Sequence, residues 1–476
     1  MSDWFLILPW LVPLLLLPVP SGRAVRWLPV FATMPALATA LFVPDNLATG
    51  LSWLLMGTHL GVDNTGRLFL FFSSLTWFAA ALYILLRPSL ATCRGRFRIA
   101  FLLAMSGNFL LIVAADMLSF YLGFALMGLS AYGMIVAPAT AAAIRAGRRY
   151  LGWTIAGELA LFSGMVVLAS RAPGTGFSDL VAVEPGMTAL VLIMLGFGVK
   201  MALPGLHFWL PSTYRAAPAA AAAVLAGPML AAGLLGWLRF LSPVTATNAA
   251  TLFVTLGIAG ALLGLAGGMI QRDARGVLAW SSIAKAGTMT AILGTAFASP
   301  GASPAILAAL SLFAIHHLLI KSFFFLGMGE LESRGRNTWL IAGLALLALS
   351  LAGAPWSGGA ASKELLIGAL GNDGSLASML FVVMAVGTAM LMARFFWLAL
   401  YQEARTTSGD AISLGWLLLA IPAIWLPYDF LQAGFSVSAI RSLRFFYSTR
   451  RNSIGPRFRP IELHRNRFGR RGRGQF

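Results

Sequence analysis

Four residues carry most of the chemistry this sequence offers. Lys200, Lys285, Lys321 and Lys363 are the only lysines among 34 basic residues, and each sits in or beside an apolar stretch: LGFGVKMALPG, SSIAKAGTM, HHLLIKSFFF and GGAASKELLIG. Arginine keeps its proton under all practical conditions, whereas a buried lysine changes its proton affinity readily. Lysine confined to apolar segments is the pattern of a chain that needs cations able to give up a proton at membrane depth. A charge there costs at least a few kcal/mol, so an intramembrane ionisable group is a functional candidate. The competing explanation is snorkelling toward an interface, with arginine elsewhere reflecting coding bias. Other titratable groups accompany the lysines: Glu158 in TIAGELALF, His207 in LHFWLP, His317 one turn before Lys321, and Glu364 directly after Lys363.

The elements that must hold these groups follow from composition. Of 476 residues, 59% are hydrophobic and 11% charged, against about a quarter charged in soluble domains. A bilayer core about 30 Å thick takes roughly 20 apolar residues per helix. Such runs fall at 4–20, 27–43, 68–86, 99–115, 118–136, 150–170, 187–204, 218–240, 248–270, 276–296, 304–329, 338–353, 375–400 and 412–432. The expectation is an all-α polytopic membrane protein with about 14 transmembrane helices. A barrel is excluded because its strands alternate with period two. The start of the chain does not read as a signal peptide, since Asp3 stands where a basic stretch belongs. Arginines crowd the odd-numbered connections, from Arg23 and Arg26 to Arg334, Arg336 and Arg405. The even ones hold only Arg67, Arg171 and Arg239. That asymmetry puts the odd connections in the cytoplasm. Fourteen spans then leave the arginine-rich tail outside, against the same rule, so either one span is miscounted or the segment after Asp429 folds back.

Two apolar runs are interrupted beside a lysine. Pro204 follows Lys200 by four residues and removes the helical bond to the Lys200 carbonyl. Pro355, Gly358 and Gly359 interrupt the run just before Lys363 and Glu364. A discontinuous helix beside a buried charge is how transporters build ion sites. Its occurrence in both halves suggests an internal repeat.

The stretch GFGVKMALPGLHFWLPSTYRAAPAAAAAVLAGPMLAAGLLGWLRF resembles the signature segment of the antiporter-like subunits of respiratory complex I and of Mrp-type sodium/proton antiporters. The resemblance runs on through IQRDARGVLAWSSIAKAG, HHLLIKSFFFLGMGEL and LAGAPWSGGAASKELL, with DMLSFYLGFALMGLSAYGM upstream, and covers roughly residues 60–400. It implies fourteen core helices with two inverted five-helix repeats, two broken helices and a line of buried charge across the midplane. By the same resemblance Lys200 is the central lysine of a first half-channel. Lys321, with His317, is that of a second, Lys363 ends the second broken helix, and Lys285 connects the halves.

Two positions depart from the pattern. Ala125 stands where the family carries a glutamate paired with the first lysine, and Ala231 where it carries a bridging lysine. The first half-channel therefore looks degenerate and the second complete. Glu158, on the next helix, is either the substitute partner of Lys200 or an acid facing a neighbouring subunit or a polar crevice.

The implied division of the chain is N-terminal helices at 1–98, a degenerate first repeat at 99–240, a complete second repeat at 241–400, a helix at 401–440 and an arginine-rich tail at 441–476. One cysteine rules out disulfide frameworks and Cys-based metal sites. No GxGxxG or P-loop opens a strand–helix unit. His316 and His317 point about 100° apart on a helix, a poor metal pair. No cofactor or metal is expected on this chain, and no redox chemistry of its own. The expected role is a proton-conducting, multi-pass subunit of a larger complex in the inner (cytoplasmic) membrane, driven by a cytoplasmic catalytic partner of the NADH:quinone oxidoreductase or hydrogenase type. Two alternatives stand beside it: a coupling subunit for bicarbonate or CO2 uptake with a zinc-containing, carbonic-anhydrase-like partner, and a non-pumping anchor. The tail, with eleven arginines and one acid after position 440, fits docking on anionic lipid headgroups or an acidic partner rather than on nucleic acid.

Overall fold

The computed structural model describes residues 3–19, 23–44, 47–54, 57–86, 94–335, 337–370, 376–401 and 416. The described part is helical, with one hairpin. In chain order the elements are α1 (Trp4–Leu15), α2 (Leu28–Phe31), α3 (Met34–Phe42), β1 (Leu47–Leu51), β2 (Thr58–Val62), α4 (Asn64–Leu86), α5 (Arg94–Val113), α6 (Met117–Val136), α7 (Ala141–Ala169), α8 (Phe177–Leu180), α9 (Gly186–Lys200), α10 (Leu210–Ala216), α11 (Ala219–Ala226), α12 (Pro228–Phe240), α13 (Ala250–Met269), α14 (Ala274–Ala298), α15 (Ser303–Arg334), α16 (Thr338–Ala352), α17 (Gly358–Leu370) and α18 (Leu376–Leu400). Among the described residues nine segments are long and apolar enough to cross a bilayer, and α1, α9 and α16 are shorter apolar helices. Each expected run from 4–20 to 375–400 coincides with a helix or helix pair. The last run, 412–432, the proposed helix at 401–440 and the tail at 441–476 lie outside the described residues apart from Tyr401 and Trp416.

Small residues set the helix spacing, as expected where close backbone approach drives association. Along α13, Gly257 and Gly264 lie directly against the backbone of Ala291 and Ala284 on α14. This seam commits one face of α14 to α13 and leaves the face bearing Ser281 and Lys285 for α15. On α7, a Cβ at Gly157 would lie 3.0 Å from the Val199 Cβ of α9, and one at Gly164 3.0 Å from the Ile193 nitrogen. The Gly157–Val199 contact brings their sequence neighbours Glu158 and Lys200 to the same level.

Two features escaped the sequence reading. The connection 44–67 is not plain loop: β1 and β2 pair antiparallel, Leu47 opposite Val62. The hairpin is pinned by Asp116, which accepts from the His59 backbone N–H at 2.8 Å and caps α6 through Ser119. The run 218–240 is also broken, at Gly227–Pro228, between α11 and α12.

Ion pairs close both ends of the Ala219–Phe240 crossing. At one end Arg239 donates to both carboxylate oxygens of Asp63, at 2.7 and 2.6 Å. At the other Arg275 donates twice to Glu332 (2.7 Å each) and once to the Ala217 carbonyl (2.7 Å), while Arg215 pairs with Asp273 at 2.8 Å.

Candidate functional site

The second half of the chain gathers the larger cluster. Phe313, His317 and Lys321 recur at four-residue spacing on α15 and so share one face. That face meets α14. Lys321 is fully buried, and its ammonium donates to the Leu278 carbonyl at 3.0 Å and to the Ser281 hydroxyl at 2.8 Å. Lys285, one turn further along α14, lies 5.0 Å above the Phe313 ring, within reach of a cation–π contact. His317 is buried, and among the described residues neither of its ring nitrogens has a hydrogen-bond partner.

The cluster continues to the break between α16 and α17. His316 turns to the other side of α15, where its Nε2 lies 3.0 Å from the Ser350 hydroxyl in the last turn of α16. Gly353 ends that helix in the left-handed region, at φ 93°. The Lys363 ammonium donates to the Ala352 carbonyl beside it. A cation there faces the negative end of the α16 dipole. Gly359 has no side chain because Ser350 O and the His316 ring occupy that space. Glu364 stands apart: it is exposed, since the residue after Lys363 on a helix turns about 100° away.

The first half gathers a smaller site. Helix α9 stops at Lys200, the chain takes positive φ at Ala202 (51°) and Gly205 (82°), and the helix resumes as α10. The Trp209 indole N–H donates to the Val199 carbonyl exposed by this break, at 2.8 Å. Lys200 is buried, and its ammonium donates to the Tyr150 hydroxyl at 3.2 Å. The same ammonium lies 5.4 Å from the Phe124 ring and 5.5 Å from the Tyr150 ring. Glu158, also buried, lines the same small cavity, and its Oε1 has no hydrogen-bond partner among the described residues. A Cβ on Gly128 of α6 would collide with that oxygen and lie 3.5 Å from the Lys200 ammonium. The acid and the lysine thus converge over one glycine. His207 points elsewhere: it stacks on Phe208 and lies 5.5 Å from Trp280 of α14, toward the second half.

Between the two sites runs α12. Near its start Gly227 abuts Ser322, the neighbour of Lys321, and further along Gly233 abuts the Lys200 side chain. Ala231 lies between them, buried. Ala125 is only partly buried on α6, one turn before Gly128.

Sequence reasoning missed Tyr150 and His316. Tyr150, Thr154 and Glu158 follow one another at four-residue spacing, and all three are buried. That spacing was the available signal. His316 was weighed only as half of a metal pair, and nothing local marks its Ser350 partner, 34 residues away.

Residues 114–392 match the family model described as NADH:quinone oxidoreductase/Mrp antiporter, transmembrane region. Hydrogenase-4 component B of Escherichia coli is 26% identical over 238 residues, 47% of this chain and 35% of that protein. NADH-quinone oxidoreductase subunit N of Ectopseudomonas mendocina is 31% identical over 288 residues, 56% of this chain and 58% of that protein. The chain thus spans less than two thirds of the length of these relatives. In fold, a chain of respiratory complex I from Thermus thermophilus superposes with a TM-score of 0.76 at 22% identity, covering 93% of this chain and 98% of that one. The matched region takes in the helix breaks beside Lys200 and Lys363 and all four lysines, and the chain belongs to the NADH:quinone oxidoreductase/Mrp antiporter family of multi-pass, antiporter-like membrane subunits.

Proposed function

We propose that this chain is a proton-conducting subunit of a larger energy-coupling complex in the inner membrane, with fourteen spans arranged as two inverted repeats. Protons pass through the second-half cluster, with Lys321 as its centre, His317 and Lys285 beside it, and Lys363 at the break as the exit. The observation that carries this reading is the run of polar and ionisable groups from Ser281 and Lys321 to the α16–α17 break, where His317 holds two ring nitrogens without a hydrogen-bond partner among the described residues. A buried polar atom without a partner costs roughly 1–3 kcal/mol, and a water between the His317 ring and its neighbours relieves that cost. Lys200, Glu158 and His207 serve the first half, where Glu158 takes the role of the acid absent at Ala125. Partner subunits supply the driving reaction, as befits a relative of complex I and hydrogenase components.

The test is proton entry into liposomes holding the full complex, driven by an imposed potential and followed with a pH-sensitive dye. Lys321→Ala and Lys363→Ala each abolish the flux while the complex stays assembled. Unchanged flux in both variants would overturn the reading and leave the chain as an anchor. Spectra of the copurifying subunits tell a flavin and iron–sulfur partner from a zinc protein.

A further inference from the structure

The acid beside Lys200 comes from α7 rather than α6, and the surrounding residues are fitted to that position. Glu158 sits on α7, whereas the α6 position that would carry an acid is Ala125. To reach Lys200 from α7, the carboxylate occupies the space that a side chain at position 128 would fill, and that residue is glycine. The carbonyl of the same glycine accepts a hydrogen bond from the Tyr150 hydroxyl at 2.8 Å. With its own proton committed to Gly128, the Tyr150 oxygen can only accept, and it accepts from Lys200 at 3.2 Å. The tyrosine ring is fixed edge-to-face on Trp209, centroids 5.2 Å apart, and that indole caps the broken end of α9. The hydroxyl is therefore held from two sides before the lysine arrives.

From this geometry we infer that Tyr150 is the positioning residue of the first site. It holds the Lys200 ammonium beside the Glu158 carboxylate, over the notch at Gly128, in place of an acid on α6. One proton of the ammonium goes to the tyrosine, and the others stay available to the carboxylate. The use of this site rests on the proton-conducting reading, but the placement of Lys200 does not, and the two are tested separately.

The chain's four lysines make a direct test possible. Full-length protein carrying lysine labelled with nitrogen-15 at Nζ, reconstituted in lipid nanodiscs, gives four ammonium signals. The Lys200 signal is the one lost in Lys200→Gln. Tyr150→Phe keeps the ring and removes only the hydroxyl. The expected result is a displaced Lys200 signal with those of Lys285, Lys321 and Lys363 at their parental positions. Glu158→Gln displaces the same signal. In the flux assay Tyr150→Phe slows conduction about tenfold, as the loss of one hydrogen bond to a charged group implies. A Lys200 signal unmoved in Tyr150→Phe overturns the inference. Movement of all four signals overturns it too, since the hydroxyl would then be holding the fold rather than the lysine. Flux indifferent to Lys321→Ala defeats the conduction reading instead, and the Lys200 signal still decides the role of Tyr150.

Discussion

Gly128→Ala adds one methyl at the most crowded point of the first site. The new Cβ collides with Glu158 Oε1 and comes to 3.5 Å from the Lys200 ammonium and 3.2 Å from Thr154 Cγ2. The closest atom is the end of a flexible side chain, so the helices need not separate and the protein folds. What changes is the distance between the acid and the lysine. At an effective dielectric constant of about 20, any two unit charges drawn apart from about 5 to about 7 Å lose roughly 1 kcal/mol of a roughly 3 kcal/mol attraction. The difference, about 1 kcal/mol, is a factor of roughly five in an equilibrium constant. Potential-driven proton flux through the reconstituted complex should fall by about that factor. The double variant Gly128→Ala/Glu158→Asp is the sharper half of the experiment. Shortening the acid by one methylene draws the carboxylate back by about 1.5 Å, the length of a carbon–carbon bond, and clears the methyl. Flux should then recover toward the parental value, although Glu158→Asp alone lowers it. A Gly128→Ala variant with parental flux, or one that Glu158→Asp does not rescue, would refute the idea that glycine is there to admit the acid.

Other consequences are equally direct. Gly264→Ala drives a Cβ into the backbone nitrogen of Ala284, which cannot turn aside. It should cost about 1–3 kcal/mol of overpacking, read as a lowered thermal midpoint of the purified chain in lipid. Asp63 faces two opposing influences: burial raises its pKa, but hydrogen bonds and charge from Arg239 hold the carboxyl below its ordinary value of 3.8. A carboxylate depressed in this way stabilises the fold above its ordinary pKa and loses that contribution as pH falls through the lowered folded value. Thermal midpoints should therefore drop below about pH 4, and Asp63→Asn should flatten that part of the curve. Arg275→Ala removes both bonds to Glu332 and the one to Ala217 together. It should loosen the α10–α11 connection, seen as faster backbone hydrogen exchange at residues 214–217, with Arg239 and the hairpin end unaffected.

Local signals and distant ones separate cleanly in this chain. The spans and the breaks at Lys200 and Lys363 were legible because length, apolarity, proline and glycine act within one or two helical turns. The candidate lysines were legible because composition isolates them. The register that turns them into sites was not legible. Gly157 against Val199, Gly128 under Glu158, and Ser281 facing Lys321 are contacts between helices, and no periodicity in one segment announces the face of another. The Asp63–Arg239 pair joins residues 176 apart. The hairpin at 47–62 was hidden for a different reason. Its strands, LATGL and THLGV, are short and glycine-bearing, and their pairing is fixed by Asp116, which belongs to another part of the chain.

The arrangement of the two sites bears on how they communicate. From Gly227 beside Ser322 to Gly233 beside Lys200, α12 offers Pro228, Met229, Leu230, Ala231 and Ala232, and no side chain among them can hold a proton. A charge leaving Lys200 along this helix would meet only apolar groups, at a cost of several kcal/mol. Other contacts do cross between the halves. The unwound segment after Lys200 sets Pro204 against Gly260 of α13 and His207 against Trp280, the neighbour of Ser281. Arg275, in the first turn of the helix that carries Ser281 and Lys285, grips both the end of α10 and Glu332 on the helix that carries Lys321. These contacts join the first break to α13 and to α14, which supplies both acceptors of the Lys321 ammonium. Between Gly227 and Gly233, α12 joins the two sites by packing contacts and offers no titratable side chain.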